Sequence, residues 1–341
     1  AVIDKCQAAG IRTVPTGIDH GTVTAILNDG PVEITTLRRD VATDGRRATN
    51  AFAQEWREDA ARRDFTINAL FAHPETLKIS DYFGGQEDLA ERRVRFIGDA
   101  KQRIREDHLR ILRYFRFQAR FGSQLDDEAE AACSELAETI KGLSRERVAA
   151  ELFKLLELPD PSDTLSRMRE LGVLQVILPE TCPPQLKALE QLIAAEQAQG
   201  FDASAIRRLA ALLPPLPDIA DSVAARLRMS RKQRAHLICV SERQLGDPLA
   251  MQALAYREGT DCAVDRVLLA GGDATPLKDW LAPQFPLKGG EIVDRGLAVG
   301  PQVAQIRRAV EELWIAEGFP SHDRVQELLD QVVQQSPGAA Q

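Results

Sequence analysis

The chain has 341 residues, and its 43 lysines and arginines against 51 aspartates and glutamates give a net charge of −8 at pH 7. Its 44% hydrophobic and 28% charged residues are typical of a globular chain with an ample core, and at roughly 150 residues per domain we expect two or three structural units. The sequence has no run of about 18 apolar residues, which excludes a membrane-spanning helix, and no apolar segment after a basic start, so we expect a cytoplasmic protein.

The N-terminal part of the chain predicts a mixture of helix and strand. A helix ended by Gly10 precedes a short strand, and two segments rich in Val, Ile and Thr follow at 21–27 and 32–38. The sequence Asn28-Asp29-Gly30-Pro31 between them predicts a hairpin, because Asp-Gly tolerates the positive φ of a tight turn. The polar stretch 39–56 has no periodicity and predicts a mobile loop.

From residue 88 onward the pattern predicts helices, because apolar residues recur at three- and four-residue spacing. Gly122 and Gly172 predict helix ends, Ser144 predicts an N-cap, and the acids at 126–128 predict the start of a helix. A late helix is expected to begin near Pro301 and to end at Gly318. Its predicted apolar face consists of Val303, Ile306, Val310 and Leu313.

The five cysteines are odd in number and lack the spacing of metal ligands. We therefore expect reduced thiols in a reducing compartment, with neither a disulfide nor a zinc site. These cysteines are Cys6, Cys133, Cys182, Cys239 and Cys262.

The acidic total argues against a nucleic-acid partner, but the charge is unevenly distributed. Residues 92–120 contain ten basic and three acidic side chains, a local charge of +7, so the rest of the chain carries −15. Such a concentration of arginine and lysine within an acidic protein predicts a site for polyanions, namely phosphates.

Residues 106–121 predict one helix with two different faces. Asp107, Arg110, Arg113 and Arg116 follow one another at i+3 steps and form a charged ridge. The apolar residues Ile111, Leu112, Phe115 and Ala119 lie on another face. Such a ridge is either a solvent-exposed helix face with i,i+3 ion pairs or a functional surface, and the charge pattern alone does not decide between the two.

The ridge also suits the recognition of bases. Cytosine and adenine both present an amino group beside an unprotonated ring nitrogen, whereas uracil and guanine present a carbonyl beside an N–H. A carboxylate accepts from the amine and a guanidinium donates to the nitrogen. Asp107 and Arg110 are therefore candidates for selecting C and A, and Arg113 and Arg116 are candidates for holding a triphosphate.

Three aromatic residues near these segments allow two interpretations. Trp56 either anchors the polar stretch locally or contacts a substrate. Tyr114 and Phe117 either stack on a base or pack into the core.

The segment RRDFTINAL at 62–70, followed by EDHLRILRYFRF at 106–117, resembles the class II tRNA nucleotidyltransferase and bacterial poly(A) polymerase family of the polymerase-β-like superfamily. The likeness is dense over residues 11–180 and looks closer to CCA-adding enzymes of alphaproteobacterial and mitochondrial type. Further matching stretches are HGTVT (20–24), VEITTLR (32–38), DGRR (44–47), DYFGGQEDL (81–89), RVRFIGDAKQRIRED (93–107), LSRERVAAELFKLL (143–156) and LGVLQVILPE (171–180).

The resemblance implies a role for several side chains. The family pairs the base of CTP or ATP with an Asp and an Arg that match Asp107 and Arg110. The arginines matching Arg113 and Arg116 hold the nucleotide. The resemblance further implies a nucleotide contact for Arg63, a role at the ribose for Asp64, and a role for Asn68 in orienting the loop.

The metal site of the family has no full counterpart in the sequence. The family holds two Mg²⁺ ions with an Asp-x-Asp pair on a strand before the GTVT strand, and no Asp-x-Asp occurs in the 341 residues. Glu33 matches the third acidic residue near the metals, or is an exposed strand acid. We therefore expect an N-terminally truncated chain that is inactive alone; the alternative is a natural, non-catalytic RNA-binding derivative.

The fold implied by the resemblance is α+β. A partial polymerase-β-like nucleotidyltransferase palm sheet is followed by an extended, all-helical neck, body and tail. The expected divisions are a truncated palm at 1–75, a neck with the nucleotide-selecting ridge and an RNA-binding region at 76–190, and a body and tail at 191–341.

The implied activity is CCA addition to tRNA 3′ ends from CTP and ATP, with protein-templated base selection. Its partners are tRNA and the two nucleotides, its cofactor is Mg²⁺, and no membrane is involved. A poly(A) polymerase acting on RNA 3′ ends and a non-catalytic RNA-binding remnant are the alternatives. The sequence leaves the oligomeric state open.

Overall fold

The structure is a computed structural model that describes residues 1–18, 21–43, 48–122, 125–295 and 300–335. It divides into two compact units. The first comprises Ala1–Cys182 and Arg226–Arg228, and the second comprises Pro183–Ala225 and Met229–Gln341.

The first unit opens with helix α1 (Val2–Ala8) and an antiparallel sheet of β1 (Arg12–Gly17), β2 (Thr22–Leu27) and β3 (Gly30–Thr35), with β2 in the centre. Leu27 pairs with Gly30, so Asn28 and Asp29 form a two-residue loop. Gly30 has φ +126°, which a residue without a Cβ adopts at little cost. The predicted hairpin is confirmed.

A second hairpin replaces most of the mobile loop predicted at 39–56. Strands β4 (Arg38–Thr43) and β5 (Ala48–Phe52) pair antiparallel, with Arg38 opposite Phe52. The prediction of a loop was wrong because it relied on the lack of alternating apolar residues. The hydrogen bonds between paired strands are made by the backbone and do not require such an alternation. The DGRR stretch at 44–47 and His20 of HGTVT lie outside the described residues.

The rest of the first unit is mainly helical, as predicted. Its further strands are β6 (Phe71–Ala72) and β7 (Ile79–Ser80), and short 3-10 helices lie at Thr66–Asn68 and Ala137–Gly142. The helices are α2 (Trp56–Ala61), α3 (Gly85–Ala90), α4 (Ala100–Glu106), α5 (Arg110–Phe121), α6 (Asp127–Glu135), α7 (Arg145–Leu156), α8 (Ser162–Glu170) and α9 (Val173–Ile177).

The predicted helix ends in this unit are confirmed. The Asp126 side chain accepts a hydrogen bond from the Ala129 amide at 3.0 Å and caps α6. Ser144 accepts from the Arg147 amide and caps α7. Gly122 follows α5, and Gly172 has φ +77° between α8 and α9. Such caps satisfy amides at the first turn of a helix that have no partner within it.

An aromatic core joins the RRDFTINAL segment to α5. Phe65, Phe96 and Tyr114 are all buried. The ring centroids of Phe65 and Phe96 lie 4.9 Å apart, and Phe96 stacks on Tyr114 at 5.8 Å. Tyr114 is therefore a core residue. Phe117 packs beside this core, 5.0 Å from Phe65.

From Pro183 onward the described chain is helical, with short 3-10 helices at Asp247–Ala250 and Thr275–Leu277. None of the helices in the described ranges combines the length and the hydropathy of a membrane span. The α-helices are α10 (Pro183–Gln199), α11 (Ala205–Ala211), α12 (Pro217–Arg226), α13 (Arg231–Ser241), α14 (Met251–Glu258), α15 (Thr260–Leu269), α16 (Gly289–Val293), α17 (Pro301–Ala316) and α18 (His322–Gln335).

Helix α17 begins at Pro301 and ends shortly before Gly318, as predicted. Its buried face differs from the prediction, because Leu313 is 39% exposed while Trp314 is buried in the core with residues of α18. A Trp buries more apolar area than a Leu, so the helix turns Trp314 inward.

The expectation of five free thiols was wrong for two of them. Cys239 in α13 and Cys262 in α15 form a disulfide, with their Cα atoms 6.4 Å apart. A separation of 23 residues along the chain does not by itself predict a disulfide. The two cysteines meet because α13 packs beside α15. Cys6, Cys133 and Cys182 are free thiols.

Candidate functional site

A cleft of about 770 Å³ in the first unit gathers most of the candidate residues. Its walls come from the β3–β4 connection, α2, the RRDFTINAL segment with β6, and the turn between α4 and α5. Five arginines face three aspartates, a net charge of +2 that favours anions. The lining residues are Thr35, Thr36, Leu37, Arg38, Trp56, Asp59, Arg62, Arg63, Asp64, Asn68, Phe71, Asp107, Arg110 and Arg113.

Asp59 fixes the two arginines of the RRD sequence. Arg62 Nε donates to Asp59 Oδ1 at 2.9 Å, and Arg63 Nη2 donates to Asp59 Oδ2 at 3.2 Å. The Arg38 amide also donates to Asp59, at 3.0 Å. Burial alone would raise the pKa of Asp59, but the hydrogen bonds from Arg38 and Arg62 outweigh it and lower the pKa. Asp59 therefore stays ionised between two guanidiniums.

Asp64 and Arg113 form a partly buried ion pair in the lining of the cleft. Arg113 Nε donates to Asp64 Oδ2 at 2.5 Å, and the Asn68 amide nitrogen donates to Asp64 Oδ1. The Asp64 side chain is only 7% exposed. Burial alone would raise its pKa, but the charge of Arg113 and the hydrogen bonds from Arg113 and Asn68 lower it. Burial alone would lower the pKa of Arg113, but the opposite charge of Asp64 and its hydrogen bond outweigh burial and raise that pKa.

Asp107 does not belong to the helix predicted for it. Helix α4 ends at Glu106, Asp107 has an extended backbone with φ −150° and ψ 106°, and α5 begins at Arg110. The reason is local, because Asp107 Oδ1 accepts from the Leu109 amide at 3.1 Å, a side-chain contact that competes with helix formation. The other oxygen, Oδ2, accepts from Arg147 Nη2 at 2.7 Å.

Arg110 is held where α4, α5 and the RRD sequence meet. Its Nη1 donates to Glu106 Oε2 at 2.6 Å and to the Arg103 carbonyl at 2.8 Å. Its Nη2 donates to the Arg62 carbonyl at 3.2 Å. Glu106 accepts from Arg103 as well, at 2.5 Å. These contacts hold the guanidinium at the cleft, with only 11% of the side chain exposed.

Five of the seven candidate site residues line this cleft, and two lie elsewhere. Arg116 Nε donates to Glu151 Oε2 at 2.7 Å, and its guanidinium lies 4.7 Å from the Phe117 ring centroid. Glu33 is exposed on β3, opposite Thr24 of β2. The five that come together are Arg63, Asp64, Asp107, Arg110 and Arg113.

Sequence reasoning missed the residues that hold the candidates in place. Arg147 reaches Asp107 from α7, and its segment was noticed only for its resemblance. Asp59 and Glu106 each bind two arginines. Acids three or four residues from an arginine were a usable signal for both, whereas nothing local links Arg147 to a residue 40 positions earlier.

The described residues do not form a magnesium site. Within residues 1–18, 21–43, 48–122, 125–295 and 300–335, no three His, Cys, Asp or Glu side chains gather in a way that could hold a metal ion. Two ions in a nucleotidyl-transfer site need paired carboxylates, and Glu33 has no acidic neighbour in its strand pair.

Two family models match the first unit. The Poly A polymerase head domain matches residues 4–95, and the model described as probable RNA and SrmB-binding site of polymerase A matches residues 122–183. The mitochondrial CCA tRNA nucleotidyltransferase 1 of Homo sapiens is 35% identical over 333 residues, which cover 92% of this chain and 75% of that protein. The chain belongs to the CCA-adding tRNA nucleotidyltransferase family. The prediction of a template-independent RNA nucleotidyltransferase is thereby confirmed.

Bacterial members of the family are similar to this chain in sequence to the same extent. The CCA-adding enzyme of Streptococcus gordonii is 34% identical over 321 residues, covering 88% of this chain and 79% of that enzyme. Among solved structures, the Bacillus stearothermophilus CCA-adding enzyme in complex with CTP has a TM-score of 0.73 at 24% identity, covering 94% of this chain and 84% of that one. The Thermotoga maritima enzyme complexed with tRNA has a TM-score of 0.67 at 19% identity, covering 98% and 83%. The predicted fold, a polymerase head followed by helices, is confirmed.

Proposed function

We propose that this chain selects CTP and ATP by their bases for the addition of C and A to the 3′ ends of tRNA, a transfer that also needs an Asp-x-Asp pair, which its 341 residues lack. The observation that supports the proposal is the meeting of Asp107 and Arg110 in one cleft with four further arginines. The carboxylate of Asp107 accepts from the exocyclic amine of C or A, and the guanidinium of Arg110 donates to the adjacent ring nitrogen.

Arg110 can read a base without leaving its anchors. Three of its five N–H groups are taken by Glu106 and by two carbonyls of the described chain, and the other two can donate to a ligand. Uracil and guanine would set their carbonyl against the carboxylate and their N–H against the guanidinium, so both contacts become repulsive.

The remaining arginines of the cleft suit the triphosphate. Arg63 and Arg113 lie beside Asp59 and Asp64, which fix their guanidiniums, and a fixed guanidinium binds phosphate oxygens in a defined geometry. We assign Arg116 an indirect role, because it pairs with Glu151, an acid that also lies 4.0 Å from Arg113.

Other parts of the function stay predictions. Asp64 at the ribose, Glu33 as an acid near Mg²⁺, and Mg²⁺ itself rest on the family resemblance. The tRNA partner rests on the relatives and on the solved complex with tRNA, and tRNA would be held mainly by its backbone and shape. The cytoplasmic location also stays a prediction, since the relatives include mitochondrial and bacterial proteins.

An extension assay tests the transfer. The chain is incubated with Mg²⁺ and tRNA ending at the nucleotide before CCA, with CTP alone, ATP alone or both. We expect no transfer by the 341 residues alone, because they contain no Asp-x-Asp pair to hold Mg²⁺. When a strand carrying such a pair is joined ahead of them, we expect two C residues from CTP alone and a complete CCA from both nucleotides. Addition of A from ATP alone to arbitrary RNA would contradict CCA addition and favour a poly(A) polymerase. Mg²⁺-dependent transfer by the 341 residues alone would contradict the expected need for an Asp-x-Asp pair.

A further inference from the structure

Trp56 is an aromatic residue exposed inside the cleft. It is the first residue of α2, lines the same cleft as Asp107 and Arg110, and is 52% exposed. A single exposed aromatic residue on an ordinary surface needs no explanation. This one lies in a wall otherwise rich in arginine, where a nucleotide and the end of an RNA chain have to meet.

The indole ring has a fixed support and a free face. Its centroid lies 4.9 Å from that of Phe71, with the ring planes at 73°. Phe71 in turn packs on the buried residues Ala60, Ala69 and Ile97. In an edge-to-face pair, at least one face of the indole lies outside the contact, whichever ring supplies the edge. The Trp56 side chain therefore presents a flat apolar surface that is supported by the packed ring of Phe71.

We propose that Trp56 is the stacking site for the unpaired base at the 3′ end of the RNA acceptor. This inference rests on the proposed function. The edge of the incoming base is assigned to Asp107 and Arg110, and its phosphates to the arginines. The acceptor's 3′-hydroxyl has to approach the α-phosphate, so the last acceptor nucleotide lies in the same cleft.

The chemistry of the acceptor favours stacking over hydrogen bonding. During CCA addition the terminal base is first the one that precedes CCA and is then C twice, so a contact that reads its edge would reject at least one of these ends. Stacking is tolerant of sequence, because every base has a π-face. Trp56 and Phe71 are the aromatic residues among the described lining residues, and the Arg63 guanidinium lies 5.3 Å from the Phe71 centroid.

The test compares two RNA minihelices in equilibrium binding to the whole chain. One ends in an ordinary unpaired nucleotide, and the other has the same terminal ribose without its base. The variants are Trp56→Ala, Trp56→Phe and the control Phe52→Ala, which removes an exposed aromatic ring outside the lining of the cleft. CTP binding is measured in parallel for each protein.

We expect the wild type and Phe52→Ala to bind the complete minihelix roughly tenfold more tightly than the abasic one, the scale of one base stacked on an aromatic side chain. Trp56→Ala should bind both minihelices equally and keep CTP affinity within about twofold. Trp56→Phe should retain part of the difference. Binding of the complete minihelix should quench tryptophan fluorescence in the wild type, because the terminal base stacks on Trp56, and should not quench it in Trp56→Phe.

Equal binding of the two minihelices by the wild type would overturn the inference, and that result needs no variant to fold. Weaker CTP binding by Trp56→Ala with unchanged minihelix binding would also overturn it, because the indole would then stack on the incoming base. A wild type that binds no minihelix but prefers CTP and ATP would refute the RNA acceptor of the proposed function as well, so the two failures are distinguishable.

Discussion

At the scale of single residues, the position of Asp107 depends on a side chain 40 positions later. One carboxylate oxygen accepts from the Leu109 amide in its own turn, and the other accepts from Arg147 at the start of α7. A carboxylate held from two sides presents its remaining lone pairs in a fixed direction. Base selection as proposed therefore requires α7 as well as the α4–α5 turn.

Replacing Arg147 should affect selectivity more than affinity. In Arg147→Ala the Asp107 carboxylate loses a charge-assisted hydrogen bond, so the preference for CTP over UTP should fall about tenfold. Affinity for triphosphate as such should change little, because Arg147 does not line the cleft. The measurement is the ratio of Kd values, with Arg145→Ala as the control on the same turn and Arg147→Lys as a partial rescue. An unchanged ratio would remove the positioning role.

Asp64 makes stability depend on pH. Its pKa is lowered in the fold, because Arg113 and the hydrogen bonds to the carboxylate outweigh burial. A lowered pKa contributes stability that is complete above the unfolded value, about 3.8, and is lost as pH falls through the folded pKa. Asp64→Asn should therefore lower the free energy of unfolding by about 2 kcal/mol at pH 7, and by less below pH 3.8. Urea unfolding at several pH values checks this; a difference independent of pH contradicts it.

At the scale of elements, the elbow between α4 and α5 is tied to the RRD sequence by two arginines. Arg103 donates to the Arg63 carbonyl at 2.5 Å, Arg110 donates to the Arg62 carbonyl, and Glu106 binds both guanidiniums. One carboxylate thus orders the two segments that supply most of the cleft.

Glu106→Gln should loosen this elbow. Replacing the carboxylate with an amide leaves two largely buried guanidiniums without their countercharge, so we expect a loss of about 2 kcal/mol in the free energy of unfolding, together with weaker preference for CTP. Glu138→Gln is the matched control, since its ion pair with Lys141 is exposed and such pairs contribute about 0.5 kcal/mol or less. Equal unfolding curves for the two variants would show that the elbow does not depend on Glu106.

The sequence predicted elements well where local rules decide them. The hairpin at 21–38, the caps at Asp126 and Ser144, and the helical second half all follow from turn chemistry and periodicity. The hairpin of β4 and β5 was missed because its polar strands carry no apolar alternation. The break at Asp107 was missed because a side-chain hydrogen bond overrides a continuous helical pattern.

At the scale of the whole molecule, the basic segment 92–120 is largely neutralised by acids from other elements. Arg93 and Arg95 pair with the buried Asp88, and Arg116 pairs with Glu151. Only Arg110 and Arg113 of this segment line the cleft, and its other three arginines lie outside residues 92–120. The charge of the segment therefore predicts an anion site but not which of its arginines reach the cleft, because that depends on tertiary ion pairs that spacing does not reveal.

The sequence predicts several of the residues that line the cleft, but not all of those that hold them in place. The resemblance and the charge ridge identified five residues that line one cleft. The sequence assigns Arg147 and Asp59 no site role and leaves Trp56 open between a local anchor and a substrate contact, because their contributions depend on distances between segments. Arg116, predicted from the charge ridge and the resemblance, and Glu33, predicted from the resemblance alone, lie outside the lining of the cleft.

We propose above all that Asp107 and Arg110 read the base of the incoming nucleotide. Equilibrium binding of CTP, ATP, UTP and GTP to the wild type, Arg110→Ala and the control Arg105→Ala tests it most directly. We predict that the wild type and Arg105→Ala prefer CTP and ATP by tenfold or more, on the order of one charge-assisted hydrogen bond, and that Arg110→Ala binds all four alike. Selectivity that is unchanged in Arg110→Ala would contradict this role of Asp107 and Arg110.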